Sequence, residues 1–505
     1  MISTRTRTCR WVRRLAVAVT SLQNMSGKIT VFSVVLSLVA CNAWAANWYV
    51  RSGATGAANG QNWTNAWTDV ANINWSSLSA GDTIYVAGGS YGILTIGKSG
   101  SSGSPILIER VRSTDSAATS ASGWHSSFDS TVTLSGIDGS GGYSYWTVDG
   151  RIPQPNCGMQ ILNPDTNHPV YLGYVAMTNV TLSNLLISST ATDNSSSYTA
   201  YYGIYYNGPG LTNFTLQYSE VRDAPTLISL FMHHSGTVIT HNLLHNNYPG
   251  NSGSHPNVLQ TIGGVNVTFS YNEITNWQAE GIMMDCISSS DPINDHWWIY
   301  SNLWHDPMLP NTNTCSRFLE SQFNTQTNIF VYHNTIVNAW GATDAVFGGG
   351  WDSNSVSKDN IFFQNTINDG NPNNCYEDPT SIGFGNSNDD YNFGNLTNSG
   401  THSISNASTD VFTTYNPVGA CTGSGTPYPC CTGNLTGTCT SNYSIASTIG
   451  STYPRGKGTT VDPINGVTST DFAGKAWASP PSIGAYEYVG STGTAPSAPK
   501  NLSTR

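Results

Sequence analysis

Apolar and β-branched residues alternate with polar ones in a phrase that recurs along the middle of the chain. Its copies are NFTLQYSEVRD, GTVITHNLLHN, NVTFSYNEITN, HWWIYSNLWHD and NIFVYHNTIVN, between residues 213 and 338. An alternation with a period of two is typical of β-strands. The pattern therefore predicts one strand before the central polar residue of each copy.

The central polar residues recur at a nearly constant interval. They are Ser219, Asn242, Asn272, Asn302 and Asn334, separated by 23, 30, 30 and 32 residues. Each is followed four positions later by an Asp or Asn, at Asp223, Asn246, Asn276, Asp306 and Asn338. A related phrase, FFQNTIND, extends the series to Asn365. Such a period predicts a solenoid of short strands whose coils bury their inner faces against each other, with stacked Asn amides at one bend.

The composition agrees with a β-rich solenoid. Of the 505 residues, 38% are hydrophobic and only 10% are charged, and Gly, Ser, Thr and Asn supply residues for many bends. A chain of this length can form one long core.

The first 45 residues resemble an export signal. They contain no Asp or Glu, and KITVFSVVLSLVACNAWA gives a basic start, an apolar run and an Ala-x-Ala site that ends at Ala45. This pattern predicts a secretory signal peptide at 1–45 rather than a membrane span. Met25 would begin a more ordinary signal. The alternative is a lipoprotein, with LVAC directing lipidation of Cys41 and anchoring the protein to a membrane.

Loss of this segment would leave a strongly acidic protein. It removes six of 19 basic residues and none of the 30 acidic ones, which gives a net charge of −17. This charge repels nucleic acid and polyanions in general. Neutral glycans, or acidic glycans bridged by calcium, are better partners, and we expect a monomer.

Several segments resemble a known family. ANWYVRSGATGAANGQNW and GDTIYVAGGSY near the start, YSYWTVDG at 143–150 and DFAGKAWASPPSIGAYEY at 471–488 are similar to secreted bacterial right-handed parallel β-helix proteins of the pectate-lyase-like type. The resemblance covers roughly residues 47–488 and implies an all-β, single-stranded right-handed parallel β-helix with an N-terminal cap. The Trp-rich opening would cover the first coil, since an open end exposes strand edges.

These features predict the domain organisation. After the signal peptide we expect the cap and first coils at 46–110, the β-helix at 111–415, a Cys-rich excursion at 416–445 and final coils at 446–489. Residues 490–505 are a Gly/Ser/Pro linker whose PSAPKNL resembles the start of a fibronectin type III module.

The excursion contains four closely spaced cysteines, Cys421, Cys430, Cys431 and Cys439. Export makes disulfides plausible, and the sequence leaves their pairing open. Zinc binding is the alternative, but no His lies nearby and no C-x-x-C spacing occurs.

Two groups of polar residues follow from counting along the repeats. Three places after each anchor the side chain should point outward, which gives a stripe for substrate binding that includes Arg222, His245 and His305. In the strand that follows, Val258, Ile282, Phe318 and Val346 align with one another, which predicts that they form one inward column. Around that column cluster His255, Gln260, Glu280, Asp285, Arg317 and Glu320.

The second group suggests chemistry. SHPNVLQ and EGIMMD resemble the HPDxxQ and GIxxD pattern of family members thought to act on glycans, with Asn257 in place of the Asp. That resemblance makes His255 the candidate base and Arg317 the group that neutralises a carboxylate or an oxyanion. Glu280 and Glu320 would act as acid and base, and Asp285 as a calcium ligand. Alternatively, each of these residues stabilises a loop.

Aromatic residues offer a further hypothesis. Exposed rings stack on sugar faces, and Trp277, Trp340 and Trp351 follow bends, where they could line a groove. Trp297 and Trp304 fall at inward positions and should belong to the core.

The sequence leaves two functions open. One is a secreted enzyme acting on extracellular polysaccharide, with lyase chemistry favoured, because neither Gly-His-Gly nor Arg-Ile-Lys of the polygalacturonase-like hydrolases occurs. The other is a non-catalytic adhesin or rigid glycan-binding rod at the cell surface.

Overall fold

The structure is a computed structural model. It describes residues 45–163, 168–189, 202–247, 256–277, 280–284, 290–305, 317–321, 324–337, 347–348, 350–363, 389–394, 402–405, 412–414, 442–445, 470–478 and 481–487. In this part of the chain, strands stack in parallel into three ladders, which we call the first, second and third sheets. Successive strands of a coil contribute to successive sheets. The fold is a parallel β-helix, as the sequence predicted.

The first sheet contains the strands that precede the repeated Asn. They are Asn47–Val50, Thr83–Val86, Ile106–Arg110, Trp146–Asp149, Met177–Ser183, Leu211–Gln217, His234–Ser235, Val238–Thr240, Gly264–Ser270, Asp295–Tyr300, Thr327–Tyr332 and Val356–Lys358.

The second sheet contains the strands that follow the repeated Asn. They are Met159–Leu162, Leu185–Ser188, Glu220–Arg222, Leu243–His245, Glu273–Thr275, Leu303–His305, Thr335–Val337, Ile361–Phe363, Phe393–Gly394 and Ile404–Ser405.

The third sheet completes each coil. Its strands are Val170–Gly173, Tyr202–Asn207, Thr226–Phe231, Leu259–Thr261, Glu280–Met284, Arg317–Ser321 and Phe347–Gly348. Near the N-terminal end, Gly89–Thr95 pairs with Val132–Asp138, which in turn pairs with strands of both the second and third sheets.

Few other elements occur in the described residues. Phe412–Thr414 and Asn442–Ile445 form an antiparallel pair. The helices are single turns, an α-helix at Ser116–Thr119 and 3₁₀ turns at Val70–Asn72, Trp75–Ser77 and Ser126–Phe128.

The bend between the first and second sheets explains the repeated Asn. In each coil the residue before it adopts a left-handed conformation, with φ of 56° at His241, 54° at Tyr271 and 51° at Ser301. That conformation turns the chain and leaves backbone groups inside the bend. The Nδ2 of each Asn donates to a backbone carbonyl of the preceding coil and to the Oδ1 of the next Asn, 3.0 Å from Asn242 to Asn272 and 3.1 Å from Asn272 to Asn302. The predicted amide ladder is therefore confirmed.

The ladder continues beyond the repeats, but not through Asn365. Asn334 donates to Asn360 over 3.0 Å, and Asn360 donates to Asn392 over 3.2 Å. Asn360 lies only 26 residues after Asn334, so the coil is shorter than the period assumed from the sequence. The assignment of Asn365 as the next anchor was wrong, because Asn360 occupies that position. Asn365 itself lies outside the described residues.

A second ladder forms where the second-sheet strands end. Asp223, Asn246 and Asn276 have left-handed φ values of 56°, 59° and 47°. Such values are more accessible to Asn and Asp than to most residues. Asn246 donates to Asp223 over 3.2 Å, and Asn276 donates to Asn246.

The core lies between the three sheets. Phe214, Phe269, Trp297 and Trp304 are fully buried in it, so the prediction that Trp297 and Trp304 belong to the core is confirmed. Apolar residues at every second position of a strand meet the equivalent residues of neighbouring coils, which is how a solenoid buries its apolar surface.

The third sheet differs from the predicted alignment by one residue. Ile282 pairs with Leu259 and Leu319, not with Val258 and Phe318. A one-residue shift normally reverses the face of every side chain. Here both Val258 and Leu259, and both Phe318 and Leu319, lie in the core. Val258 and Phe318 therefore face inward although the proposed column was wrong.

Aromatic residues pack at the N-terminal end of the coil. Trp67 belongs to the main core and stacks on Trp48, with ring centroids 5.4 Å apart. Trp63 belongs to a separate cluster with Tyr49 and Tyr85. The role of 46–110 as a cap stays a prediction, as do the other domain boundaries.

A segment near the C-terminus packs on the outside of the coil. Tyr486 and Phe472 form an apolar cluster with Tyr271, Leu303 and Val337, whose side chains lie outside the main core. The segment is also tied down by hydrogen bonds. The backbone N–H of Ala485 donates to Oγ1 of Thr335 over 2.9 Å, and the hydroxyl of Tyr271 donates to the carbonyl of Thr470 over 2.9 Å.

Candidate functional site

The outer side of the second sheet carries the stripe expected to bind substrate, but the stripe is buried. Arg222 is 7% exposed, His245 1% and His305 9%. The neighbouring inward residues Leu244 and Trp304 lie in the core, so the three side chains do point away from it. Counting along a repeat could not reveal this burial. The expectation of a solvent-exposed stripe was therefore wrong.

These buried groups form ion pairs with one another. Oε1 of Glu220 lies 3.1 Å from Nε of Arg222 and 3.2 Å from Nε2 of His245. Nη1 of Arg222 donates to Oδ2 of Asp223 over 2.7 Å. Buried charges are tolerated when they are paired and hydrogen-bonded. We call Glu220, Arg222, Asp223 and His245 the ion cluster.

A second pair continues the same side of the sheet. Nε2 of His305 lies 2.9 Å from Oε1 of Glu273. Burial raises the pKa of the Tyr486 hydroxyl, and the nearby carboxylate of Glu273 raises it further. Tyr486 of the C-terminal segment therefore lies close to this pair. These contacts link the covering segment to the sheet.

The three tryptophans that were predicted to line a groove have different outcomes. Trp277 is completely buried and packs edge-on against Trp304, with centroids 5.3 Å apart, so its assignment to a groove was wrong. The turn at Asn276 directs the indole into the core. Trp351 is half-buried and packs against the core. Trp340 lies outside the described residues.

The outer side of the third sheet holds two polar columns. Backbone pairing places Glu280 directly beside Arg317. The carbonyl of Glu280 accepts the N–H of Val258 over 3.2 Å, which places Asn257 beside Glu280. Gly281, the next residue, would bring a Cβ to 2.6 Å from the Trp304 ring and so faces the core. Asn257 and Glu280 therefore form an outward column that Arg317 continues in the backbone register, and we call these three positions the charged column.

The second column lies three residues further along each of these segments. Gln260 pairs with Met283, and Met283 pairs with Glu320. Gln260 is half-buried, whereas Met283 is 1% exposed and Glu320 8% exposed. Arg317 and Glu320 lie on one strand, and Glu280 lies on its neighbour. Neighbouring strands are about 4.8 Å apart, so the two columns bring the positions of one guanidinium and two carboxylates close together.

Asn257 has an unusual environment. It is fully buried, and neither its Oδ1 nor its Nδ2 has a hydrogen-bond partner among the described residues. A buried amide without partners costs about 1–3 kcal/mol per group. An unsatisfied buried group in a native structure calls for an explanation, and a functional role is one. This one lies in the charged column.

Several predicted residues cannot be placed. His255, Asp285, Cys41 and the four clustered cysteines lie outside the described residues, as does the 1–44 part of the signal peptide. For Arg317 the backbone is described and the side chain is not. The roles assigned to these residues stay predictions.

No cation site is evident in the described part of the chain. There, no three His, Cys, Asp or Glu side chains converge as metal ligands would. The described residues also include no helix that is long and apolar enough to span a membrane. Calcium binding stays a prediction that rests on the sequence.

Two buried histidines, His234 and His333, were not anticipated, and burial lowers the pKa of His333 to about 3. His234 has ring nitrogens 2.9 Å from Oγ1 of Thr237 and 2.6 Å from Oγ1 of Thr261. Burial lowers the pKa of His234 to about 3. The imidazole is therefore neutral at physiological pH and links two coils at the corner between the third and first sheets.

A group of tyrosines on the third sheet was also missed. Tyr171 and Tyr205 pair on adjacent strands, with parallel rings 6.0 Å apart, and Tyr202 stacks on Tyr205 at 4.8 Å. Tyr174 meets both stacked rings edge-on and is 57% exposed. The available signal was the recurrence of Tyr in VYLGY and YYGIYY, which precede the repeated Asn phrase.

Comparisons with known proteins yield structural matches alone. No protein-family model and no curated protein matches the sequence. The structure is similar to that of pectate lyase Pel9A, with a TM-score of 0.51 and 12% identity, over 88% of this chain and 97% of that one. A complex of XylC with xylose matches with a TM-score of 0.42 and 11% identity, over 70% and 77% of the two chains. The GH136 lacto-N-biosidase from Eubacterium ramulus matches with a TM-score of 0.39 and 14% identity, over 71% and 68%. The pectate lyase and this protein share the pectate-lyase-like parallel β-helix fold.

Proposed function

We propose that the protein cleaves an extracellular polysaccharide by lyase chemistry on the outer face of the third sheet. The observation that carries the proposal is the charged column, in which Asn257, Glu280 and Arg317 lie side by side in the backbone register of consecutive coils. Solenoid side chains that face inward are committed to packing, so chemistry requires an outward set drawn from neighbouring coils. This is such a set, with a cation, a carboxylate and an amide.

The chemistry of a polysaccharide lyase has three requirements. A base removes the proton from the carbon next to a sugar carboxylate, a cation neutralises that carboxylate, and the glycosidic C–O bond breaks as a C=C bond forms. The leaving oxygen takes a proton from a carboxyl group or from water. The product is a chain with an unsaturated sugar at its new end.

The residues of this chain match those requirements in type. Arg317 would bind the sugar carboxylate, because a guanidinium fits a carboxylate with two parallel hydrogen bonds. Glu280, beside it, would orient the guanidinium. His255, two residues before Asn257, would accept the proton, as expected of an imidazole near neutral pH. Glu320 would supply the proton to the leaving oxygen.

Export and acidity support an extracellular substrate. The predicted signal peptide would deliver the protein outside the cytoplasm, and a mature charge of −17 disfavours nucleic acid. The same charge would also repel an acidic polysaccharide unless a local cation attracts it. Arg317 would provide this attraction within the third sheet.

A product screen tests the proposal. The full-length protein is incubated with acidic and neutral polysaccharides, with and without calcium, and products are followed by the ultraviolet absorbance of unsaturated ends and by reducing-end release. We expect unsaturated products from at least one acidic polysaccharide. Arg317→Ala should lower kcat/KM by about 100-fold or more without lowering the melting temperature. Arg112→Ala, at a half-buried arginine outside the third sheet, is the control and should behave as wild type. Absence of any product would refute the proposal.

A glycan-binding rod is the second candidate. The amide ladder runs from Asn242 to Asn392 through every described coil between them and would make the solenoid stiff. A stiff rod suits display at a cell surface. Retention of a polysaccharide without release of any product would favour this function.

A further inference from the structure

The tyrosines on the third sheet form a surface that the charged column does not use. We call Tyr171, Tyr174, Tyr202 and Tyr205 the tyrosine patch. They lie on the first two strands of the third sheet and on the turn after the first of them. Ser229 separates Tyr205 from Gln260 along the outward column, and it is fully buried. The patch therefore lies on the same side of the third sheet, two strands before Gln260.

The patch is open on one side. Tyr174 is 57% exposed and its neighbour Val175 is 47% exposed, and these are two of the most exposed large apolar residues in the described chain. Tyr171 and Tyr202 are half-buried. Tyr205 is 8% exposed because the other rings and the imidazole of His168, 4.8 Å away, pack around it. The outer rings are thus held in place by a buried inner ring.

The hydroxyl groups are arranged as a polar margin. The hydroxyls of Tyr205 and Tyr174 lie 3.4 Å apart, and Nδ2 of Asn207 donates to the Tyr205 hydroxyl over 3.3 Å. Ring faces beside a hydrogen-bonding margin match a pyranose, which has apolar C–H faces and a rim of hydroxyls. An apolar protein partner would instead bury these hydroxyls, which costs free energy unless each finds a partner.

The charge near the patch selects the type of sugar. Asp138 pairs with Tyr171 in the adjacent strand. Burial, the neighbouring Tyr174 and, to a smaller extent, the negative charge of Asp138 raise the pKa of the Tyr171 hydroxyl. Burial lowers the pKa of His168, so this imidazole supplies no positive charge near neutral pH. The carboxylate of Asp138 would repel an acidic sugar but not a neutral one.

We infer that the tyrosine patch is a carbohydrate-binding site for neutral pyranose residues, separate from the charged column. The inference does not require that the protein cleave its ligand. The tyrosine patch would give the protein a second contact with glycan, which neither the repeated Asn residues nor the charged residues predicted.

Affinity electrophoresis of the full chain tests the inference. The protein is run in native gels that contain xylan, glucomannan, xyloglucan, homogalacturonan or alginate, and the retardation gives a dissociation constant. We expect at least one neutral polysaccharide to retard the wild type. Tyr174→Ala should weaken that binding about ten-fold, which corresponds to about 1.4 kcal/mol for the lost ring contact. Tyr174→Phe keeps the ring and should retain most of the binding.

Matched controls separate the outcomes. Trp298→Ala removes a half-buried ring from the outer side of the first sheet and should bind as wild type. Melting temperatures of all variants check that the fold is intact. Unchanged binding in Tyr174→Ala, or no retardation by any neutral polysaccharide, would overturn the inference. Tyr174-dependent binding in a protein that yields no products would uphold the inference while refuting the proposed lyase function.

Discussion

Removing one side chain from the middle of the amide ladder should destabilise the protein strongly. Asn302 is fully buried. Its Nδ2 donates to the carbonyl of Phe269 over 2.9 Å and to Oδ1 of Asn334 over 2.9 Å. Its Oδ1 accepts from the backbone N–H of Asn272 over 2.9 Å and from Nδ2 of Asn272 over 3.1 Å. Asn302→Ala removes all four hydrogen bonds.

The cost follows from the groups that lose their partners. Nδ2 of Asn272 keeps its bond to the carbonyl of Ile239, and Oδ1 of Asn334 keeps the backbone N–H of residue 302. The N–H of Asn272 and the carbonyl of Phe269 lose their hydrogen bonds to the Asn302 side chain. Each buried group left unsatisfied costs about 1–3 kcal/mol. We therefore expect a loss of about 2–6 kcal/mol in the free energy of unfolding.

Urea denaturation followed by far-ultraviolet circular dichroism measures this loss. Asn72→Ala is the matched control, because Asn72 is exposed and its Nδ2 donates only to the nearby Thr68. The control should change the free energy of unfolding by no more than about 0.5 kcal/mol. If Asn302→Ala matched Asn72→Ala, the ladder would not be what satisfies the bends, and the account of the repeated Asn would be refuted.

Three further perturbations test other parts of the structure. Wild-type stability should fall as pH drops from about 6.5 towards 3, because the unfolded state takes up protons at His234 and His333 that the folded state, with a pKa of about 3 at each, does not; His234→Gln should remove the His234 part of this dependence of the urea midpoint and leave the His333 part. Arg222→Met removes the guanidinium partner of Asp223 and leaves Glu220 paired with His245, and should cost about 3–5 kcal/mol in urea denaturation. Gly281→Ala places a Cβ 2.6 Å from the Trp304 ring and should cost about 1–3 kcal/mol, measured as a lower melting temperature.

Each of these has an outcome that contradicts it. A pH dependence identical in wild type and His234→Gln would mean that His234 titrates normally. An Arg222→Met variant that keeps its stability but loses glycan binding would restore Arg222 as a substrate ligand. Gly210→Ala, whose Cβ would have 4.0 Å to its nearest neighbour, is the control for Gly281→Ala, and equal melting temperatures would show that the core tolerates the added methyl.

The sequence could predict the coil because its signal is local. An Asn at Asn242, Asn272, Asn302 and Asn334 follows the same alternation each time, and spacing alone shows that these residues share one bend. The same reasoning failed at Asn360, where the coil shortens and the lead-in strand VSK carries little apolar character. A prediction that assumes a fixed period cannot detect a change in coil length.

Contacts between distant segments could not be predicted. His245 and His305 point away from the core, as counting indicated, yet both are buried. Part of the outer side of this sheet is covered by Phe472 and Tyr486, well over a hundred residues away in sequence. The charged column was found because its residues are rare in a charge-poor chain. The tyrosine patch was missed because it lies before the first copy of the phrase.

The release of unsaturated sugar ends tests the central claim most directly. The account predicts that the wild-type protein releases them from an acidic polysaccharide and that Arg317→Ala, folded and equally stable, does not. Equal release by wild type and Arg317→Ala, or release by neither, would contradict the assignment of the charged column as the site of cleavage.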